Sequence, residues 1–136
     1  APGLCLAEQA GRVFGLESTP EAVDLARCNA KAAGQHHCRY MAGDVRSLLP
    51  RLPSPDVVLA DPPRAGLHPD VVRALLLARP RRILYISCNP ATLARDVALL
   101  SAGYALRHVQ PVDFFPHTPH VESLCILDNV SAANAA

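Results

Sequence analysis

Short apolar runs alternate along this chain with longer stretches in which apolar residues return every three or four positions. The runs read as strands and the stretches as helices, because side chains repeat with a period of about 2 on a strand and about 3.6 on a helix. Arg12–Glu17 and Cys38–Ala42 are predicted strands. Between them lies a predicted helix, Thr19–Gly34. Ser18 or Thr19 caps it, Pro20 opens it and Gly34 stops it, with Ala22, Val23, Ala26, Ala30 and Ala33 at helical spacing. A brief helix at Val45–Leu49 and a proline-punctuated loop from Pro50 to Pro55 follow.

Asp56–Asp61 is a buried strand stopped by Pro62 and Pro63, and Pro69 opens a helix that runs to Ala78. Arg82–Ser87 is another buried strand, stopped at Asn89-Pro90; Ala91–Ser101 is the next helix, capped by Gly103. Two late strands, Ala105–Val112 and Val121–Leu127, have no helix between them. From Asp128 onward, an Ala- and Asn-rich stretch reads as an unstructured tail, so the folded domain is expected to span residues 1–128.

This order predicts an α/β fold with a mostly parallel sheet, covered on both faces, and an antiparallel hairpin at its edge. Ligands of such sheets gather at the carboxyl ends of the strands. Glu17, Asp44, Asp61 and Cys88 all fall there. The opening Ala1–Ala7 reads as mid-helix, already past any first strand, and lacks the Gly-rich turn that would cradle a nucleotide-like cofactor. The expectation is a domain truncated at its N-terminus.

Composition narrows this picture in three ways. At 136 residues, half of them hydrophobic, the chain suits one domain with a sizeable core. No apolar run approaches the roughly 20 residues of a membrane span, and no signal-peptide pattern opens the chain, so a cytoplasmic protein is expected. The net charge of +1 excludes a strongly basic nucleic-acid-binding domain. It leaves RNA open, because arginines concentrate at Arg79, Arg81 and Arg82 and again at Arg51, Arg64 and Arg73. The five cysteines match no zinc spacing and no disulfide framework. Cys5, Cys28, Cys38 and Cys125 are expected to be small buried hydrophobes.

Several residues carry candidate chemistry. Glu17 can accept hydrogen bonds from the two hydroxyls of a ribose, or simply favour the positive start of the next helix. Asp44 after Gly43 can bond an adenine amino group or belong to an ordinary turn. Asp61-Pro62-Pro63-Arg64-Ala65-Gly66-Leu67 is more specific, since two prolines make a rigid exit that fixes Asp61 at the rim of the sheet. Methyltransferases that act on exocyclic amines carry an aromatic residue after such a Pro-Pro pair. Arg64 stands there, which argues against that alternative chemistry.

Cys88, in Ser87-Cys88-Asn89-Pro90, ends a strand directly before a helix. The helix dipole at that place favours a thiolate. A thiolate adding to carbon 6 of uracil makes carbon 5 nucleophilic, after which a base must take the carbon-5 proton. Alone, Cys88 can equally be a buried strand-end thiol. Glu122 is the candidate base, a carboxylate in an apolar run whose side chain can face the rim or the core. His117 and His120 have an H-x-x-H spacing, but no Cys or carboxylate completes a ligand set, so no metal is expected.

Three motifs, Asp61-Pro-Pro-Arg-Ala-Gly66, Ser87-Cys-Asn-Pro90 and Phe115-Pro-His-Thr-Pro-His-Val-Glu122, occur in this order. In this the chain resembles the RNA 5-methyluridine methyltransferases, which use S-adenosyl-L-methionine to methylate tRNA and 23S ribosomal RNA. The resemblance runs from about Gly3 to Leu127 and implies a Rossmann-like fold. It implies Cys88 as nucleophile, Glu122 as proton acceptor, and contacts from Glu17, Asp44 and Asp61 to the cofactor. It further implies that the first-strand motif, a cofactor-contacting glutamine, a central domain and, in many members, an RNA-binding domain with or without an iron–sulfur cluster precede residue 1. The competing expectations are an amino methyltransferase, or a folded fragment that retains RNA binding without cofactor.

Overall fold

A computed structural model describes residues 2–114, 116–118 and 121–131. The chain divides into two compact units, residues 1–52 and 53–136.

The first unit opens with a short helix, α1 (Pro2–Cys5), and a 3-10 turn at Ala7–Gln9. Strand β1 (Val13–Glu17), helix α2 (Pro20–Ala32) and strand β2 (Cys38–Ala42) follow, with β1 and β2 paired in parallel so that Val13 meets Cys38 and Glu17 meets Ala42. Helix α2 buries Val23, Ala26 and Ala30 against Tyr40 of β2. Ala22 and Ala33, expected on that face, are exposed. Gly15 makes room for the Tyr40 ring: a Cβ there would lie 2.3 Å from it. The helix stops at Ala32, two residues before the expected end, and Gly34 takes the left-handed conformation (φ 69°) just beyond it. A short helix, α3 (Val45–Leu48), and a 3-10 turn at Leu49–Arg51 close the unit.

The second unit contains β3 (Val57–Ala60), α4 (Pro69–Ala78), β4 (Arg82–Ser87), α5 (Pro90–Leu100), β5 (Tyr104–Val112) and β6 (Glu122–Asn129). The sheet order is β3-β4-β6-β5. Strands β3 and β4 run parallel, as a helical crossover allows, whereas β6 is antiparallel to both β4 and β5. The expected hairpin is therefore present at the edge, with β6 inserted next to β4. Burial alternates along β6, where Ser123, Cys125, Leu127 and Asn129 are buried and their neighbours half-buried. Ile83 and Tyr85 of β4, Leu75 of α4 and Leu100 of α5 complete this core. Of the parallel strands predicted to be covered on both faces, β4 buries one face fully and the other by half, whereas β1 and β3 are only half-buried.

Two further sequence expectations change. Strand β6 extends to Asn129, because Asn129 N–H donates to Arg81 O at 3.0 Å and Asp128 pairs with Arg82. Asp128 and Asn129 thus belong to the sheet, and residues 132–136 of the expected tail lie outside the described residues. Of the four cysteines expected to be buried, Cys125 is buried and Cys38 half-buried, but Cys5 and Cys28 are exposed. Cys28 stands two positions from both Ala26 and Ala30, which turns it about 200° around the helix from each.

Candidate active site

Glu17 ends a strand and Asp61 and Cys88 follow one directly, whereas Asp44 stands two residues beyond the end of β2. In the first unit, Glu17 is the last residue of β1 and exposed. Its Oε1 accepts from Thr19 N–H at 2.9 Å and from the Ser18 hydroxyl at 3.1 Å. Donation from the Thr19 backbone is the main reason that its carboxyl lies below the usual glutamate range. This carboxylate, not the Thr19 side chain, satisfies an amide at the start of α2. Gly43 N–H donates to Glu17 O at 2.9 Å, which ties the end of β1 to the turn carrying Asp44.

Asp44 caps α3 by accepting from Arg46 N–H at 2.8 Å. The Arg46 guanidinium also grips both of its carboxylate oxygens, through Nε and Nη2. Asp44 thus caps a short helix and holds an ion pair that sequence spacing did not flag.

In the second unit, Asp61 follows β3 directly and is exposed. Cys88 follows β4 and is half-buried. Ser87 and Asn89 flank it tightly: the Ser87 hydroxyl donates to Asn89 O at 3.0 Å and accepts from Asn89 N–H at 3.1 Å. Asn89 is the N-cap of α5, its Oδ1 accepting from Ala91 N–H at 3.0 Å. The thiol therefore sits one residue before a capped helix start. Glu122 opens β6 and is half-buried. Ser87 and Ser123 are direct antiparallel partners, so Cys88 and Glu122 are the next residues outward on two adjoining strands.

The sequence reading missed the residues that hold the Pro62–Leu67 loop. Asp96 is fully buried. Its Oδ2 accepts from Leu67 N–H at 2.7 Å and from the Tyr85 hydroxyl at 2.6 Å. Its Oδ1 accepts from Arg95 Nε and Nη2 at 2.9 and 2.7 Å. Arg95 also donates to Ala65 O at 2.8 Å, while Thr92 Oγ1 and Asn89 Nδ2 donate to Arg64 O at 3.1 and 3.2 Å. Burial, reinforced by donation to Asp96, pushes the Tyr85 phenol well above its ordinary range. A signal existed in the sequence. Asp96 lies on the same helical stripe as Leu93 and Leu100, where an apolar residue would be expected.

A cavity of about 250 Å³ lined by Arg79, Gly103, Tyr104, Asn129 and Ser131 lies elsewhere, where β5 starts and β6 ends. It is not the site of Cys88. Of the His117–His120 pair, His120 lies outside the described residues. Among the described residues no group of three potential metal ligands gathers, and no helix is long and apolar enough to cross a membrane.

The crossovers and the edge hairpin fit a Rossmann-like methyltransferase fold. In agreement, the chain superposes with a TM-score of 0.80 and 38% identity on the Pyrococcus abyssi tRNA (uracil-54, C5)-methyltransferase, whose structure was solved with S-adenosyl-L-homocysteine. The match covers 92% of this chain and 31% of that one. Residues 53–130, more than half of the chain, match the tRNA (uracil-5-)-methyltransferase family, and the chain belongs to it. An RNA methyltransferase of Nitratidesulfovibrio vulgaris is 55% identical over 133 residues, covering 93% of this chain. One of Bacteroides thetaiotaomicron is 46% identical over 128 residues, covering 90% of it. The chain spans 28% of the length of each of these two relatives.

Proposed function

We propose that this chain carries the methyl-transfer site of an RNA (uracil-5-)-methyltransferase, acting on a uridine of tRNA or 23S ribosomal RNA with S-adenosyl-L-methionine as methyl donor. Residues 1–128 would form its catalytic domain. The observation that carries the reading is the Ser87–Ser123 pairing, because a nucleophile and a base for one pyrimidine ring must stand side by side.

The chain's own carboxylates suit the donor unequally. Glu17 is exposed and held ionised by the Thr19 amide, which fits the acceptance of two ribose hydroxyls. Asp61 is exposed at a strand end and fits a polar contact to the donor. Asp44 fits least well, since Arg46 already occupies both its oxygens and a contact there would have to share them. When bound, S-adenosyl-L-methionine supplies an electrophilic methyl group.

In this reading the Cys88 thiolate would form a bond to uracil carbon 6 and the electron pair of the ring double bond would pass to carbon 5, which would take the methyl group as its bond to the donor's sulfur breaks and that bond's electron pair stays on the sulfur. Glu122 then accepts the proton from carbon 5. The double bond re-forms as the sulfur–carbon bond breaks, and the sulfur leaves as thiolate. A stacked uridine would first have to be turned out of its helix.

The test is nucleoside mass spectrometry of RNA treated with the intact protein. 5-Methyluridine is expected; methylation on an exocyclic nitrogen would overturn the reading. RNA containing 5-fluorouridine should trap the protein covalently, because no proton can leave carbon 5. A Cys88→Ala protein that still forms the adduct would remove Cys88 from the mechanism.

A further inference from the structure

We infer that Asp96 is a positioning residue for this site, fixing the Asp61–Leu67 loop to the helix that starts beside Cys88. The inference rests on the function proposed above. Burying a carboxylate is costly unless its lone pairs are filled. Asp96 is fully buried, yet it accepts from the Leu67 amide, the Tyr85 hydroxyl and two nitrogens of Arg95. Two of these partners belong to the loop or reach it, since Arg95 also donates to Ala65 O at 2.8 Å. One turn earlier, Asn89 and Thr92 hold Arg64 O.

The loop backbone is shaped for this grip. Gly66 has φ 78°, and a Cβ there would lie 2.5 Å from Asp96 Oδ2 and 2.6 Å from Arg95 Nη2. Only a glycine lets the loop approach the carboxylate so closely. The loop begins at Asp61, and α5 begins two residues after Cys88. One helix therefore sets the position of both segments. A leucine in place of Asp96 would pack against Leu93 and Leu100 without any of this.

Asp96→Asn and Arg95→Ala in the intact protein test the inference. The asparagine keeps the volume but presents two hydrogens to groups that are themselves donors. Arg95→Ala cuts the bond to Ala65 O and takes the counter-charge from the buried carboxylate, so it is read per folded protein, as Asp96→Asn is. Hydrogen exchange at the Leu67 amide is expected to quicken about 10- to 100-fold in Asp96→Asn. Exchange in β4 and β6 should stay at the wild-type rate. Per folded protein, kcat/KM for methyl transfer should fall on the order of 100-fold. Tyr85→Phe removes a donor to Asp96 and a lesser contact of the Tyr85 oxygen with the Leu67 amide but leaves the Asp96–Leu67 bond in place, so its effect on Leu67 exchange should be smaller than that of Asp96→Asn.

A variant that only melts earlier, with kcat/KM per folded protein unchanged, makes Asp96 purely structural and overturns the inference. So does an unchanged Leu67 amide in Asp96→Asn. A wild-type protein that makes no 5-methyluridine would instead sink the proposed function, while Leu67 exchange would still report on the loop.

Discussion

Ser87 and Ser123 are directly paired at the last rung of the ladder between β4 and β6, and the register is unbroken from there back to Arg82 and Asp128. The neighbouring ladder between β5 and β6 does slip, with an irregularity at Leu106–His108. Continuity matters because a slip of one residue would turn every side chain of β6 to the opposite face. It would also part Glu122 from Cys88. The adjacency of Cys88 and Glu122 is thus set by a hydrogen-bonded ladder of six residue pairs, a more rigid support than a loop.

If Glu122 takes the carbon-5 proton, its loss should stall the reaction after methylation. Glu122→Gln is expected to lower turnover by roughly 10²- to 10⁴-fold and to accumulate a protein–RNA adduct on unmodified RNA, seen on a denaturing gel. Cys88→Ala should abolish turnover and form no adduct. A Glu122→Gln protein that releases methylated RNA at the wild-type rate would remove Glu122 from the mechanism.

Gly66→Ala should destabilise the protein more than an ordinary surface substitution. The left-handed backbone costs a non-glycine residue about 1–2 kcal/mol, and the new methyl would press on Asp96 Oδ2. A loss of about 2–4 kcal/mol in urea unfolding is expected. Gly11→Ala is the control, since nothing lies within 4 Å of a Cβ there. Equal losses for the two would mean that the loop relaxes around the methyl.

How far the sequence revealed this site depended on the kind of signal. Strands and crossovers were legible because short apolar runs end abruptly at Pro62, Asn89-Pro90 and Gly43-Asp44, each a local event. The end of β6 was not. Asp128 and Asn129 look like tail residues, and only their bonds to Arg82 and Arg81, more than 45 positions earlier in the chain, together with their pairing with Ala105 and Tyr104 of β5, make them strand. The same holds for Asp96, whose partners Leu67 and Tyr85 lie 29 and 11 residues away. The strand-end residues could be placed from pattern alone, but the network around Asp96 is non-local and appears only when the loop and α5 are seen together.

The Arg82–Asp128 pair anchors the far end of the β4–β6 register and makes stability depend on pH. Donation from Arg82 lowers the Asp128 carboxyl below the ordinary aspartate value of 3.8. A depressed carboxyl stabilises the fold above its unfolded value and loses that contribution as pH falls through the folded one. Asp128→Asn should therefore cost about 1 kcal/mol or less near neutrality, as expected for a pair that is partly exposed. The two proteins should converge in stability well below pH 4. A constant difference across that range in thermal unfolding would assign the loss to something other than the ion pair.

The alkaline limb has the opposite sign. All three tyrosines, Tyr40, Tyr85 and Tyr104, are pushed above the ordinary value of 10, in each case chiefly by burial. Tyr85 is reinforced by donation to Asp96, while Tyr104 donates to Pro80 O at 3.0 Å. A phenol with a raised folded value favours the native state until pH climbs past its unfolded value, and that contribution is spent as pH passes through the folded one. Stability should thus decline above about pH 10. Phenolate absorbance should stay low until the chain unfolds, and then rise in one step with the loss of circular dichroism. Tyr85→Phe should remove part of that step, because one phenol fewer ionises on unfolding. A gradual phenolate rise centred near pH 10 with the fold intact would show that these rings are open to water, and the buried Tyr85–Asp96 bond would have to be abandoned.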